Sequence, residues 1–188
     1  MKKTILCMLL MTALLALSAC GKNENTAEDA ADTSTTELQT VGNDKVGYAE
    51  LPADWISVEA VNGATALQYA SADSKVNLSM DVVDESTLSE EEKESITAES
   101  AATGIWGTLE QGGVKQITGA KVKIADYDAF QVYGAYTDTQ NNNASSIIVF
   151  WVFESDDEVI HVVSVEGAAD VITDAVTQVE ATYRTTAE

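Results

Sequence analysis

The chain has 188 residues, 45% of them apolar, and carries 31 acidic side chains against 10 basic ones for a net charge of −21. Such a balance excludes binding to nucleic acid through a basic footprint and electrostatic adhesion to anionic lipid headgroups, and it favours cations and basic partner surfaces. Only two cysteines occur, Cys7 and Cys20, both near the N-terminus, so the remainder of the chain has no means of forming a disulfide or a Cys-based zinc or iron–sulfur site.

Met1-Lys2-Lys3 gives a positive start, and Ile5 to Leu17 is a mostly apolar run shorter than the about 20 residues that a membrane span needs. Residues 1–19 are therefore expected to be a signal peptide. Its end, Leu17-Ser18-Ala19-Cys20 followed by Gly21, closely resembles the bacterial lipobox. That resemblance implies cleavage before Cys20, diacylation of its thiol and attachment to the bacterial cell membrane, facing outside the cytoplasm. Two acyl chains at about 0.8 kcal/mol per buried CH₂ hold a protein firmly where one does not. Both leader lysines leave with the signal, so 8 basic residues remain against 31 acidic ones, a net of −23.

Residues 20–45 are polar and acidic, with no aromatic residue and no sustained apolar period. Such composition cannot bury enough apolar area to offset chain entropy, and the stretch is expected to be a flexible acidic tether reaching about 25–30 Å. Residues 46–188 have the size of a single globular domain with one core. On this reading a chain beginning at Val46 would fold as well as a longer one.

Within the domain, Gly47 to Leu51 alternates and meets Pro52, and Trp55 to Val58 resumes an extended pattern. Ala66 to Ala70 follows. In Val76 to Val83 the apolar residues fall at 76, 78, 80 and 82, the period of a strand with one wet face. Ser89 and Glu92 match a capping box, with Glu90 and Glu91 in the first turn, so a helix is expected to start there. It would continue through Ala98, Ala102, Ile105, Trp106 and Leu109 on one face to the stop at Gly112-Gly113, with Gly104 and Gly107 weakening its last turns. Trp106 is expected in the core.

Lys121 to Ile124 alternates strictly, Ala129 to Tyr136 reads as a strand, and Asp138 to Asn143 as a polar turn. Ile147 to Phe153 has no polar member, so both faces of that strand should be covered and Trp151 should be buried. After the turn Glu154 to Asp157 comes the strand Val159 to Val165. The closing helix places Val171, Ile172, Ala175, Val176, Val179 and Tyr183 on one face. The order gives an α+β fold with a largely antiparallel sheet flanked by helices.

The phrase Tyr48-Ala49-Glu50-Leu51-Pro52-Ala53-Asp54-Trp55, then Leu67-Gln68-Tyr69, then Ala125 to Tyr133, resembles PsbP-like domains, and the resemblance spans nearly all of the stretch from Val46 to Tyr183. It implies an αβα sandwich. That group includes photosystem extrinsic proteins, a Ran-binding nuclear protein and small bacterial lipoproteins, which share no common reaction, so the fold does not transmit a function.

Chemistry has few carriers here. The single histidine, His161, lies mid-strand between Ile160 and Val162 and is expected to be structural or superficial. There is no Gly-x-Ser-x-Gly elbow, no Ser-x-x-Lys pair and no phosphate-binding Gly-x-x-x-x-Gly-Lys loop. Acidic clusters occur at Asp84-Glu85, Asp126 with Asp128, and Asp156-Asp157-Glu158, but none has EF-hand spacing. No catalytic, cofactor or metal residue is assigned, and Cys20 is the one site residue, for lipid attachment. The expected function is that of a non-enzymatic, membrane-tethered binding or accessory module with an envelope protein partner. The alternative is an envelope sensor for a small ligand or a divalent cation.

Overall fold

The computed structural model describes residues 37–58, 66–84, 86, 88–138 and 143–187. The leader, Cys20 and the tether as far as residue 36 lie outside the described residues, as do residues 139–142 of the polar turn.

The chain enters the fold earlier than its composition suggests. Leu38–Asn43 (β1) pairs antiparallel with Gly47–Pro52 (β2), in register from Leu38 opposite Pro52 to Asn43 opposite Gly47. The turn is held by Asn43, whose Oδ1 accepts hydrogen bonds from the backbone N–H groups of Lys45 (2.9 Å) and Val46 (3.1 Å). Val41 is buried in the main core. A flexible tether running through Lys45 is thus corrected: its last residues are a structural strand, and the domain begins before Val46.

Seven further strands, Ile56–Val58 (β3), Leu67–Ala70 (β4), Val76–Val82 (β5), Lys115–Ile124 (β6), Tyr127–Asp138 (β7), Ala144–Glu154 (β8) and Ile160–Ala168 (β9), form one sheet. Its order is β3-β4-β5-β9-β8-β7-β6, and every neighbouring pair is antiparallel. The apolar run in β8 lies inside the sheet, and Trp151, Val152 and Phe153 are all fully buried because successive side chains point into two different cores. Val149, Trp151 and Phe153 join Val163 and Val165 against the β1–β2 hairpin and the closing helix Ile172–Thr182. Ile148, Phe150 and Val152 join Val132 against the opposite helical layer.

That layer departs from the single helix expected. Glu90–Ser95 (α1) ends, and Ala98–Gln111 (α2) begins anew with Thr97 as N-cap. Thr97 Oγ1 accepts from the Ser100 backbone N–H at 3.1 Å, and Ser100 Oγ accepts from the Thr97 N–H at 2.9 Å. This reciprocal pair satisfies two backbone donors only if the chain breaks at Thr97, so the cap overrides continuous helix. The capping box expected upstream falls on Glu92, whose side chain lies outside the described residues. Gly104 and Gly107 do not shorten α2. It runs to Gln111, where Gly113, at φ +82°, lets the Val114 N–H return to Leu109 O at 3.0 Å. The closing helix, here α3, buries Ile172 and Val179, and Tyr183 follows it into the same core. The α+β sandwich, a helix on each face of an antiparallel sheet, is the architecture expected.

Candidate functional site

His161 is the second residue of β9, opposite Phe153 on β8 and Val82 on β5. Its imidazole stacks on the Phe153 ring at 5.1 Å and 6°, and Phe153 stacks in turn on Tyr127 at 5.3 Å. Tyr183 meets the Phe153 ring edge-on. The Tyr183 hydroxyl donates to Val46 O at 2.7 Å and lies 3.2 Å from His161 Nδ1. Because the one phenolic proton is used on Val46, Nδ1 must carry the proton and donate to the phenol oxygen. Burial pushes the imidazole below its ordinary pKa, opposed by nearby Asp157, and burial pushes the Tyr183 phenol up. The ring is therefore a neutral structural group at pH 7, and its partner is a phenol rather than a serine or cysteine nucleophile.

At this end of the sheet a recess of about 810 Å³ is bordered by Asp44, Asp84, Asp156, Asp157 and Glu158, with His161 among its lining. Asp84 and Asp157 are occupied by local turn chemistry. Asp84 Oδ1 accepts from Ser86 N–H at 3.0 Å and Ser86 Oγ at 2.6 Å, and Asp157 Oδ1 from Ser155 Oγ at 2.5 Å. These bonds hold both carboxyls below the usual carboxylate range. Asp126 sits in the β6–β7 turn and Asp128 at the start of β7, where Lys123 Nζ reaches Asp128 at 3.1 Å and the Asp126 carbonyl at 3.2 Å. Glu85 lies outside the described residues. Among the described residues, no three His, Cys, Asp or Glu side chains converge to hold a metal ion.

The other candidate lies on the opposite face of the sheet, where an open groove of about 520 Å³ runs between α2 and strands β6 and β7. Trp106, Phe130, Ala102 and Gly119 line it, with the exposed Glu99 and Lys121 at its rim. Gly119 explains the shape: a Cβ there would stand 3.3 Å from Trp106 Cζ3, so the indole packs against the strand at the point where it has no side chain. Lys121 Nζ sits 5.0 Å from the centre of the Phe130 ring, a cation–π contact at the rim. Trp106 thus packs against the core yet stays half-buried, a correction to its expected place inside. Phe130, Gly119 and Lys121 were not distinguished by the sequence as site residues. Their signal is a glycine in a lysine-bearing strand, facing a helical tryptophan, and it becomes visible only once β6 is set beside α2.

No protein-family model matches the chain, and no curated protein matches it in sequence. Among solved structures it is similar to the solution structure of cyanobacterial PsbP (CyanoP) from Synechocystis sp. PCC 6803, at 12% identity and a TM-score of 0.49, over 89% of this chain and 98% of that one. It is also similar to the Ran-binding protein Mog1p of Saccharomyces cerevisiae, at 10% identity and a TM-score of 0.48, over 76% of this chain and 84% of that one.

Proposed function

We propose that this protein is a lipid-anchored, extracytoplasmic module of a bacterial envelope that binds a protein partner and catalyses no reaction of its own. The observation that carries this reading is the state of its single histidine. His161 is 3% exposed, stacked on Phe153 and hydrogen-bonded to a phenol, so the side chain best suited to acid–base work near pH 7 is part of the core. The Trp106–Phe130 groove, by contrast, offers accessible aromatic surface of the kind that anchors binding partners. The lipobox at Leu17 to Cys20 supports placement at the membrane, and the tether supports action within a few tens of ångströms of it.

Two measurements test the reading. Mass spectrometry of the mature N-terminus should find a diacylated Cys20, with Cys20→Ser leaving unprocessed precursor; an unmodified terminus elsewhere would remove the membrane anchor from the proposal. Affinity purification from detergent-solubilised membranes should retain a stoichiometric envelope protein. If none is retained, and profiling of the purified protein instead reveals a hydrolytic activity that His161→Gln abolishes without unfolding, the protein is an enzyme.

A further inference from the structure

The seven-stranded sheet ends at β6, which among the described residues pairs with β7 alone. From Thr118 opposite Tyr133 to Ile124 opposite Tyr127 the register is unbroken, so alternate residues along this stretch turn their N–H and C=O groups away from the sheet. An irregularity between Lys115 and Thr118, with Gln116 at φ +53°, sets off this regular edge from the start of the strand. The opposite edge, β3, has three residues and offers far less backbone.

Charge singles out the same strand. All lysines found in described strands lie on β6, at Lys115, Lys121 and Lys123, and its ten residues include no acid. Lys123 is paired with Asp128, whereas Lys115 and Lys121 have no ion-pair partner among the described residues. At physiological ionic strength the screening length is about 8 Å. A ligand lying along β6 therefore feels these lysines, with Glu99 on the groove rim and Asp128 already paired to Lys123, more than the acids farther away that dominate the net charge. Lysine on a free edge also discourages edge-to-edge aggregation. That role alone does not account for the groove, which opens beside the edge at Gly119, Ala120 and Lys121.

We propose that β6 accepts an extended acidic segment of a partner protein as an eighth strand. Such a strand would lie about 4.8 Å from β6. Its backbone would take up the free N–H and C=O groups, its carboxylates would face Lys115 and Lys121, and one apolar side chain would enter the groove between Trp106 and Phe130. The inference rests on the binding-module reading above and specifies the chemistry of its partner.

The test uses the mature lipidated chain in detergent and synthetic nonapeptides that carry Glu and one Val, Leu or Phe two positions apart on the same face, with further Glu on the other face, read by hydrogen exchange of β6 and by calorimetry. Binding should slow exchange across residues 118–124 at least tenfold and leave β3 unchanged. Lys115→Glu with Lys121→Glu, both surface changes, should weaken the peptide at least tenfold while melting stays as in the parent protein; Trp106→Ala should weaken it independently. The proposal is overturned if no peptide slows β6 exchange, or if peptides with Lys in place of Glu bind equally well. It is also overturned if β6 is already protected without peptide, because a second copy or residues 21–36 then cover the edge; sedimentation and deletion of those residues separate the two. If the envelope protein retained from membranes still binds the Lys115→Glu, Lys121→Glu variant, the module reading stands and this edge is not its site.

Discussion

The Tyr183 hydroxyl bridges Val46 O, at 2.7 Å, and His161 Nδ1, at 3.2 Å, so one phenol joins the residue after α3 to the β1–β2 hairpin and to the middle of the sheet. The backbone repeats the connection, since Tyr48 and Arg184 exchange both N–H to O hydrogen bonds, at 2.7 and 2.9 Å. Tyr183→Phe keeps the ring against Phe153 but removes the hydroxyl shared by Val46 O and His161 Nδ1, so the buried site loses one hydrogen-bonding group. Such a loss at a buried site costs about 1–3 kcal/mol, and chemical denaturation should show a loss in that range with an unchanged m-value.

Gly47 lies directly beneath this phenol. A Cβ there would stand within 2.8 Å of Tyr183 Cζ and Arg184 O, and the residue is held at φ +86°, where side chains are disfavoured. Gly47→Ala should therefore destabilise more than Tyr183→Phe, by roughly 2–4 kcal/mol, because backbone strain adds to the clash. Combining Gly47→Ala with Tyr183→Phe should cost less than the sum of the two, since the shorter side chain relieves part of the contact. A double-mutant cycle in urea checks the sign.

Protonation of His161 opposes folding. Burial places its folded-state pKa below the ordinary 6.5, so between those two values the unfolded chain binds more protons than the folded one. Stability from this group is complete above pH 6.5 and declines as pH falls from there toward the folded value. The carboxyls of Asp84 and Asp157 are also held below their ordinary value and lose their contribution only further into acid. His161→Gln should flatten the melting temperature between pH 7 and 5 relative to the parent protein. The imidazole, being the only one, is directly visible by NMR, and titration at or above 6.5 would contradict the burial argument.

Trp151 is fully buried, and its indole N–H donates to Glu180 Oε1 at 3.2 Å, an oxygen that also accepts from Gln131 Nε2 at 3.1 Å. Trp151→Ala should cost about 3–5 kcal/mol through lost transfer energy and the cavity left behind. Trp106→Ala should cost much less because its ring is only half-buried. Comparing the two denaturation midpoints distinguishes a core tryptophan from a groove tryptophan.

The elements most legible in the sequence were those whose burial is written in their own residues. Ile147 to Phe153 has no polar member and lies in the centre of the sheet, and the alternation of Val76 to Val82 matches its alternating burial. Elements decided by a partner were harder to read. Thr97 is an ordinary helix residue until Ser100 completes its cap. Trp106 falls on an apolar helix face, but Gly119, thirteen residues later, leaves it facing a groove. The first strand offers only Leu38 and Val41 as apolar residues and could not signal burial by periodicity. Its turn, Gly42-Asn43-Asp44 before Gly47, carried hairpin chemistry within a composition that read as tether.

Where the domain begins can be decided by truncation. A chain starting at Glu37 retains β1, the hydrogen bond from Ala53 N–H to Glu37 O at 2.8 Å, and the bonds from Gln39 Nε2 to Pro52 O and Trp55 O at 3.1 and 2.8 Å. A chain starting at Val46 loses all of these. It also uncovers Ala49 and Leu51, both fully buried, and leaves β2 as a single strand over the core, held by its bridge to Arg184 and its packing on α3. Removing Val41 alone forfeits about 1.5–3 kcal/mol of apolar burial, and the lost ladder adds to it. A domain stable by 5–15 kcal/mol is brought close to the unfolding threshold by such a loss. The chain from Glu37 should melt as the mature protein does, whereas the chain from Val46 should melt far lower or bind dyes specific for exposed apolar surface. Equal melting of the two would mean that β1 contributes little to the fold despite its buried Val41.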